Sequence, residues 1–81
     1  MKDMIIEAGR NLRTLNINYE KADGTRGWRE IEPYSFREKN SKEFLFAFDL
    51  EKEAIRSFYL ENILEINISD RTFEPRYEVE F

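Results

Sequence analysis

The sequence has 81 residues, with 13 basic and 17 acidic side chains and a formal net charge of −4. That length suits one small domain, and the acidic balance argues against a dedicated duplex-binding protein, which usually carries a basic excess. It does not exclude a local basic face. The absence of cysteine and histidine excludes disulfides, thiolate metal ligands and the residue that most often acts as a general base.

Hydrophobic content points to a folded domain rather than a membrane protein. No apolar run approaches the ~20 residues that a membrane-spanning helix needs, and the run at residues 4–6 is too short for a signal peptide. Seven Phe, four Tyr and one Trp favour a core rich in large rings. We therefore expect a cytoplasmic location and no contact with a membrane.

A short helix and a strand are the first predicted elements. Residues 1–11 predict the helix, because their apolar side chains fall near one face. Residues 12–19 alternate between apolar and polar side chains, which is typical of a half-buried strand. Its apolar side carries Leu15, Ile17 and Tyr19.

A returning strand is predicted over residues 28–34, after a turn at Asp23-Gly24 in which glycine supplies the positive φ. Pro33 has no backbone N–H to donate, so we expect it to mark the end of this strand or an edge. Residues 35–37 are interpreted as a further short strand, and residues 38–41 as a polar turn.

A central β-hairpin over residues 43–60 dominates the sequence. Phe44, Phe46 and Phe48 stand at every second position, which is the period of a strand, and we expect all three in the core. Residues 51–53 form the short polar connection, and residues 55–60 form the second, β-branched and aromatic strand.

The remaining residues predict one more strand and a tail. Residues 60–63 predict a tight bend of about one 3₁₀ turn, and residues 64–69 alternate as a last strand. The tail, residues 69–81, either packs back on the domain or pairs with a partner chain. Five or six short strands with one small helix predict a mainly β domain spanning residues 1–81, a small closed or nearly closed barrel.

The side chains do not indicate an enzyme. No histidine is present to activate a serine, and no glycine-rich turn surrounds one. Asp49-Leu50-Glu51 offers oxygen ligands for a hard cation but lacks a full loop signature. We therefore predict a non-enzymatic domain with no cofactor and no metal.

Four segments carry a family resemblance. They are Glu7-Ala8 leading into Ile17-Asn18-Tyr19, then the Arg-x-hydrophobic-x-Pro segment at 29–34, then 43–49, and then 56–63. Their order and spacing over about residues 5–68 resemble the WYL domain. This family is an SH3-like (Sm-like) barrel found in transcription regulators and in phage-defence and DNA-damage proteins. In residues 43–49 Glu43 stands where the family has Trp and Phe44 where it has Tyr.

The resemblance implies a sensing function. Family members are thought to sense nucleotides or single-stranded nucleic acid through a basic surface, usually beside a helix-turn-helix domain. No helix-turn-helix is seen in these 81 residues, so the resemblance implies the sensing or interaction part alone. Arg29 and Arg56 match family arginines, and a guanidinium suits phosphate because it can donate two parallel hydrogen bonds. Asn62 stands where the family tends to place an arginine on its ligand-facing surface.

Five residues are therefore the candidates for ligand binding: Tyr19, Arg29, Tyr34, Arg56 and Asn62. Each has a structural alternative. The arginines could be solvated strand residues paired with a nearby glutamate. The tyrosines could close the core, and Asn62 could serve as a turn residue.

A second hypothesis makes the domain a protein-interaction or oligomerisation module. Its motivation is the acidic net charge, together with the changes at Glu43 and Asn62. The apolar faces of the N-terminal helix and of the tail would then form the interface with a second copy or with a regulator protein.

Overall fold

One helix and five strands make up the domain in the computed structural model, which describes residues 1–81. The elements are α1 (Lys2–Arg10), β1 (Arg13–Glu20), β2 (Arg26–Lys39), β3 (Lys42–Asp49), β4 (Ala54–Tyr59), a 3₁₀ turn η1 (Leu60–Asn62) and β5 (Ile63–Thr72). The strands form one antiparallel sheet in the order β4-β3-β2-β1-β5. The mainly β class, with about five strands and a short N-terminal helix, is confirmed. The outer strands β4 and β5 do not pair, so the sheet does not close into a barrel.

Strand β2 joins the two halves of the sheet. It pairs with β1 up to Ile31 and with β3 from Ile31 onward, and its register with β3 shifts between Pro33 and Ser35. Of the two alternatives predicted for Pro33, the end of a strand is wrong, because β2 runs 14 residues without a break. The other alternative, an edge, is the observed one, because beyond Ile31 β2 no longer pairs with β1. Proline is tolerated there because it lies at a bulge, beyond the last pair with β1. Residues 35–37 continue β2 and are not a separate strand.

The core lies on one face of the sheet, beneath α1. Its buried residues are Ile5, Ala8, Leu15, Ile17, Ile31, Leu45, Ala47, Phe58 and Ile63. A nine-residue helix is marginal alone, so α1 depends on packing Ile5 and Ala8 against the strands.

The three phenylalanines of β3 do not lie in this core. Leu45 and Ala47 face the core and are fully buried, whereas Phe44, Phe46 and Phe48 lie half-buried on the opposite face. The prediction that they are core residues is wrong. Alternation fixes the period of a strand, but not which of its two faces meets the core.

The C-terminal tail, residues 73–81, packs back on the domain. The backbone N–H of Phe73 donates to Leu12 O at 2.9 Å, and that of Glu80 donates to Tyr34 O at 2.8 Å. Ser35 and Glu80 form a parallel bridge beside the second half of β2. The first of the two predicted outcomes for the tail is therefore the observed one. Residues 69–72, which we assigned to the tail, belong to β5.

Phe81 fills the space where Gly9 lacks a side chain. A Cβ at Gly9 would overlap the Phe81 ring, which also packs edge-on against Phe36 with 5.2 Å between ring centroids. In an unobstructed helix Gly→Ala stabilises by about 0.5–1 kcal/mol. Here we expect Gly9→Ala to destabilise by about 1–3 kcal/mol, since the ring must move.

The sign of this effect should reverse when the ring is removed. In a Phe81→Ala background, Gly9→Ala should stabilise by about 0.5–1 kcal/mol, as it does in an open helix. Urea unfolding of the four variants measures both values. Destabilisation by Gly9→Ala in both backgrounds would contradict this account.

Candidate functional site

Arg29 forms a buried ion pair on the core face of the sheet. Its Nη1 lies 2.9 Å from Asp49 Oδ2, and the two side chains are 8% and 0% exposed. Asp49 Oδ1 also accepts the backbone N–H groups of Glu51 and Lys52, at 3.0 and 3.2 Å. The Asp49 carboxylate therefore neutralises Arg29 and fixes the β3–β4 turn at the same time.

Arg56 differs from Arg29 in that no carboxylate pairs with its guanidinium. It lies on β4 opposite Ala47, so it points to the same side of the sheet as the core but from an edge strand. Its side chain is exposed and makes no salt bridge. A free guanidinium on a strand can bind an anion without first breaking an ion pair.

Tyr19 and the η1 turn span the gap between β4 and β5. The Tyr19 hydroxyl accepts the backbone N–H of Tyr59 at 3.0 Å, and its ring meets Phe58 edge-on at 5.0 Å. Asn62, half-buried, ends η1 directly before Ile63, which pairs with Tyr19. Tyr19 and Asn62 thus lie where the end of β4 approaches β5, and Arg56 lies on β4 three residues before Tyr59.

Tyr34 lies on the other face, beneath the tail. It is 1% exposed, and its hydroxyl donates to Glu32 Oε1 at 2.7 Å and accepts the backbone N–H of Arg76 at 3.0 Å. Burial raises the pKa of Tyr34 from 10.0 to about 12, because the phenolate would lose its hydration, and the nearby Glu32 carboxylate adds to the rise.

This raised pKa predicts a loss of stability in alkali. The folded protein holds the Tyr34 proton more tightly than the unfolded chain, so its contribution is complete below pH 10 and is lost as pH rises towards 12. Between pH 9 and 11.5 the wild type should lose more unfolding free energy than Tyr34→Phe, which has no proton to release. Urea unfolding measures the free energies, and an equal loss in the wild type and in Tyr34→Phe would contradict the raised pKa of Tyr34.

Comparison with known proteins identifies the family. The model of the WYL domain matches residues 1–68. The chain belongs to the WYL domain family. Membership places it among regulatory and sensing modules in general, without specifying a ligand. Comparison with curated proteins gives no match.

A solved structure shows the same WYL fold. It is proteasome accessory factor B/C (PafBC) of Arthrobacter aurescens, with a TM-score of 0.81 at 21% sequence identity. The match covers 88% of this chain and 11% of that chain. At this identity the likeness concerns the fold alone.

The WYL resemblance identified the arginines but not their partners. Nothing local in the sequence shows that Asp49 meets Arg29, because the contact depends on the register that pairs Ile31 with Asp49. Glu32 and Arg76 were missed for the same reason, since they are 44 residues apart. The ligand-binding roles of the five candidate residues remain predictions.

No group of three or more acidic side chains is placed to hold a metal ion, and no helix is long and apolar enough to cross a membrane.

Proposed function

We propose that this WYL domain is a non-enzymatic sensing module that binds an anionic ligand, such as a nucleotide or single-stranded nucleic acid, around Arg56. The observation that carries the proposal is the contrast between the two arginines that match the family. Arg29 is neutralised by Asp49 in the interior, whereas Arg56 is exposed and has no carboxylate partner.

Each of the other candidate residues has a part in this proposal. Tyr19 and Asn62 lie where the end of β4 approaches β5 and would contact the ligand beside Arg56. The buried pair of Arg29 with Asp49 would hold β2 and β3 in place behind the site. Tyr34 would act only through the fold, since its hydroxyl is occupied under the tail.

The test is fluorescence anisotropy of labelled single-stranded DNA and RNA oligomers, with labelled nucleotides in parallel, at low and at physiological salt. Arg56→Gln should weaken binding at least tenfold, because charged hydrogen bonds to phosphate contribute about 1.5–3 kcal/mol. Lys21→Gln is the matched control, since it removes one exposed charge in the β1–β2 turn. Equal affinities of the two variants would refute the Arg56 site.

The alternative function is protein interaction or oligomerisation, and one observation favours it. Met1, Met4 and Leu64 are exposed and line a hollow of about 470 Å³ between α1 and β5. Exposed apolar side chains gathered in this way are common at protein interfaces. Sedimentation over a wide concentration range, with Leu64→Lys as the variant, tests for self-association through this surface. A monomer at every concentration, with no partner found, would reject it.

A further inference from the structure

Trp28 lies exposed on the face of the sheet opposite the core, where β2, β1 and β5 lie side by side. The strand register places the following residues on this surface: Asn16, Asn18, Glu20, Arg26, Trp28, Glu30, Glu65 and Asn67. We refer to these residues as the tryptophan face. The hydrogen bonds and ring contacts of the tail involve none of them, so the tail leaves this face uncovered.

Asparagine is unusually frequent on the tryptophan face. An antiparallel sheet commonly has one solvated face, but asparagine is depleted in strands because its side chain competes for backbone hydrogen bonds. Asn16, Asn18 and Asn67 are nevertheless neighbours on two paired strands, and Asn18 lies directly opposite Trp28. The propensity of residues for strands therefore does not account for three amides beside an exposed indole.

The polar side chains of this face hold one another in place. Asn18 Nδ2 donates to Glu65 Oε2 at 2.9 Å, and Asn16 Nδ2 donates to Asn67 Oδ1 at 3.1 Å. These bonds leave the carbonyl oxygens of Asn16 and Asn18 and the amide nitrogen of Asn67 available to a ligand. Side chains that are already fixed lose little rotamer freedom on binding. The face therefore presents donors and acceptors together in a fixed arrangement.

The charges of the tryptophan face are nearly balanced. Glu20 pairs with Arg26 at 3.2 Å, and Glu30 pairs with Arg71 at 3.4 Å. Glu65 forms no salt bridge, which leaves a small negative excess. Juxtaposed like charges are unfavourable, so these carboxylates disfavour a phosphate or any other anion. The charge balance favours a neutral ligand.

We propose that the tryptophan face binds a neutral oligosaccharide, with one sugar ring stacked on the Trp28 indole and with hydroxyl groups bonded to Asn18 and Glu65. The C–H groups on one side of a sugar ring carry partial positive charge and suit the negative face of an aromatic ring. Hydroxyl groups both donate and accept hydrogen bonds, which matches the mixed donors and acceptors of the amides. The three strands make this surface about 10 Å wide and about 14 Å long, which suits a short oligosaccharide.

This site is separate from the one proposed around Arg56. Arg56 lies on β4, at the other end of the strand order from β5, and it points to the core side of the sheet. The oligosaccharide site therefore goes beyond the anionic-ligand function, and either can fail without the other.

The first test uses the intrinsic fluorescence of Trp28, which is the one tryptophan of the chain and so reports stacking directly. The wild type is titrated with neutral disaccharides to tetrasaccharides of glucose, mannose, galactose, xylose and N-acetylglucosamine. At least one of them should shift or quench the emission and saturate, with a dissociation constant of about 0.1–5 mM, as expected of a small open site.

The second test measures the affinity of variants for that oligosaccharide by isothermal titration calorimetry. Trp28→Leu should weaken binding about tenfold or more, because the stacking surface is lost. Tyr59→Leu is the matched control, since Tyr59 is 40% exposed but lies on β4, and it should bind within about twofold of the wild type. Asn18→Leu keeps the shape of the side chain without its amide and should bind about fivefold more weakly. Circular dichroism and urea unfolding confirm that each variant is folded.

The outcomes decide between this site and its alternatives. The proposal is overturned if none of the oligosaccharides gives a saturable response, or if Trp28→Leu and Tyr59→Leu weaken binding equally. It is also overturned if a single-stranded oligomer quenches Trp28 and the oligosaccharides do not. Arg56→Gln should leave oligosaccharide binding unchanged. Sugar binding without any binding of oligomers or nucleotides would refute the function proposed around Arg56 and support this site.

Discussion

Asp49→Ala is expected to destabilise the domain by about 3–5 kcal/mol, because it leaves the Arg29 guanidinium in the interior without its counterion. The substitution also removes the acceptor for the backbone N–H groups of Glu51 and Lys52. Small domains have unfolding free energies of about 5–15 kcal/mol. The loss is therefore a large share of the total, and urea unfolding at neutral pH measures it.

Further variants separate the charge from the turn. Asp49→Asn keeps an oxygen for the turn but removes the charge, so it should cost less than Asp49→Ala. Arg29→Met/Asp49→Asn removes both charges and should regain most of the loss, since apolar replacement of a buried ion pair is often nearly neutral.

Arg26→Met is the control for an exposed ion pair. Arg26 pairs with Glu20 at 3.2 Å, and the Arg26 side chain is 64% exposed. Its loss should cost about 0–1 kcal/mol. If Asp49→Ala were no worse than Arg26→Met, the Arg29–Asp49 pair would not hold the fold.

The contrast between Arg29 and Arg56 bears on how a sensing module of this size is built. Arg29 keeps strands β2 and β3 in register, and only Arg56 presents its charge freely at the open edge.

The spacing of apolar residues along the chain predicted the helix and the strands, because an element that buries one face repeats its apolar side chains at a fixed period. The helix at residues 2–10, the β3–β4 hairpin and the 3₁₀ turn at Leu60 all follow from short-range spacing. The same spacing could not show which side of the sheet is faced by Phe44, Phe46 and Phe48. Both faces of β3 are covered, one by the core and the other by Arg76 and Tyr77 of the tail. The size of the phenylalanine rings was therefore a misleading guide to which face meets the core.

The site was less predictable than the fold because its contacts are non-local. A sequence pattern shows that an arginine stands on a strand, but not whether a carboxylate meets it across the sheet. The difference between Arg29 and Arg56 arises from Asp49, which reaches Arg29 through the pairing of β2 with β3. The anchoring of the tail depends likewise on contacts between residues more than 40 positions apart.

Arg76→Ala is expected to destabilise the domain by about 2–4 kcal/mol and to release the tail. Glu32 is 3% exposed and accepts Arg76 Nε at 3.0 Å, so the substitution leaves a buried carboxylate with only the Tyr34 hydroxyl as a partner. Arg76 itself is half-exposed, and water can solvate it when Glu32 is changed. Glu32→Gln should therefore cost less, about 1–2 kcal/mol.

Arg71→Ala is the matched control on the neighbouring ion pair. Arg71 contacts Glu30 at 3.4 Å, and Glu30 is partly exposed, so the free carboxylate would be hydrated and the cost should stay below about 1 kcal/mol. Hydrogen exchange reports the tail directly. The amide of Glu80, which donates to Tyr34 O, should lose protection in Arg76→Ala and keep it in Arg71→Ala. Retained protection in Arg76→Ala would mean that Phe81 and the backbone bonds hold the tail without the Glu32–Arg76 pair.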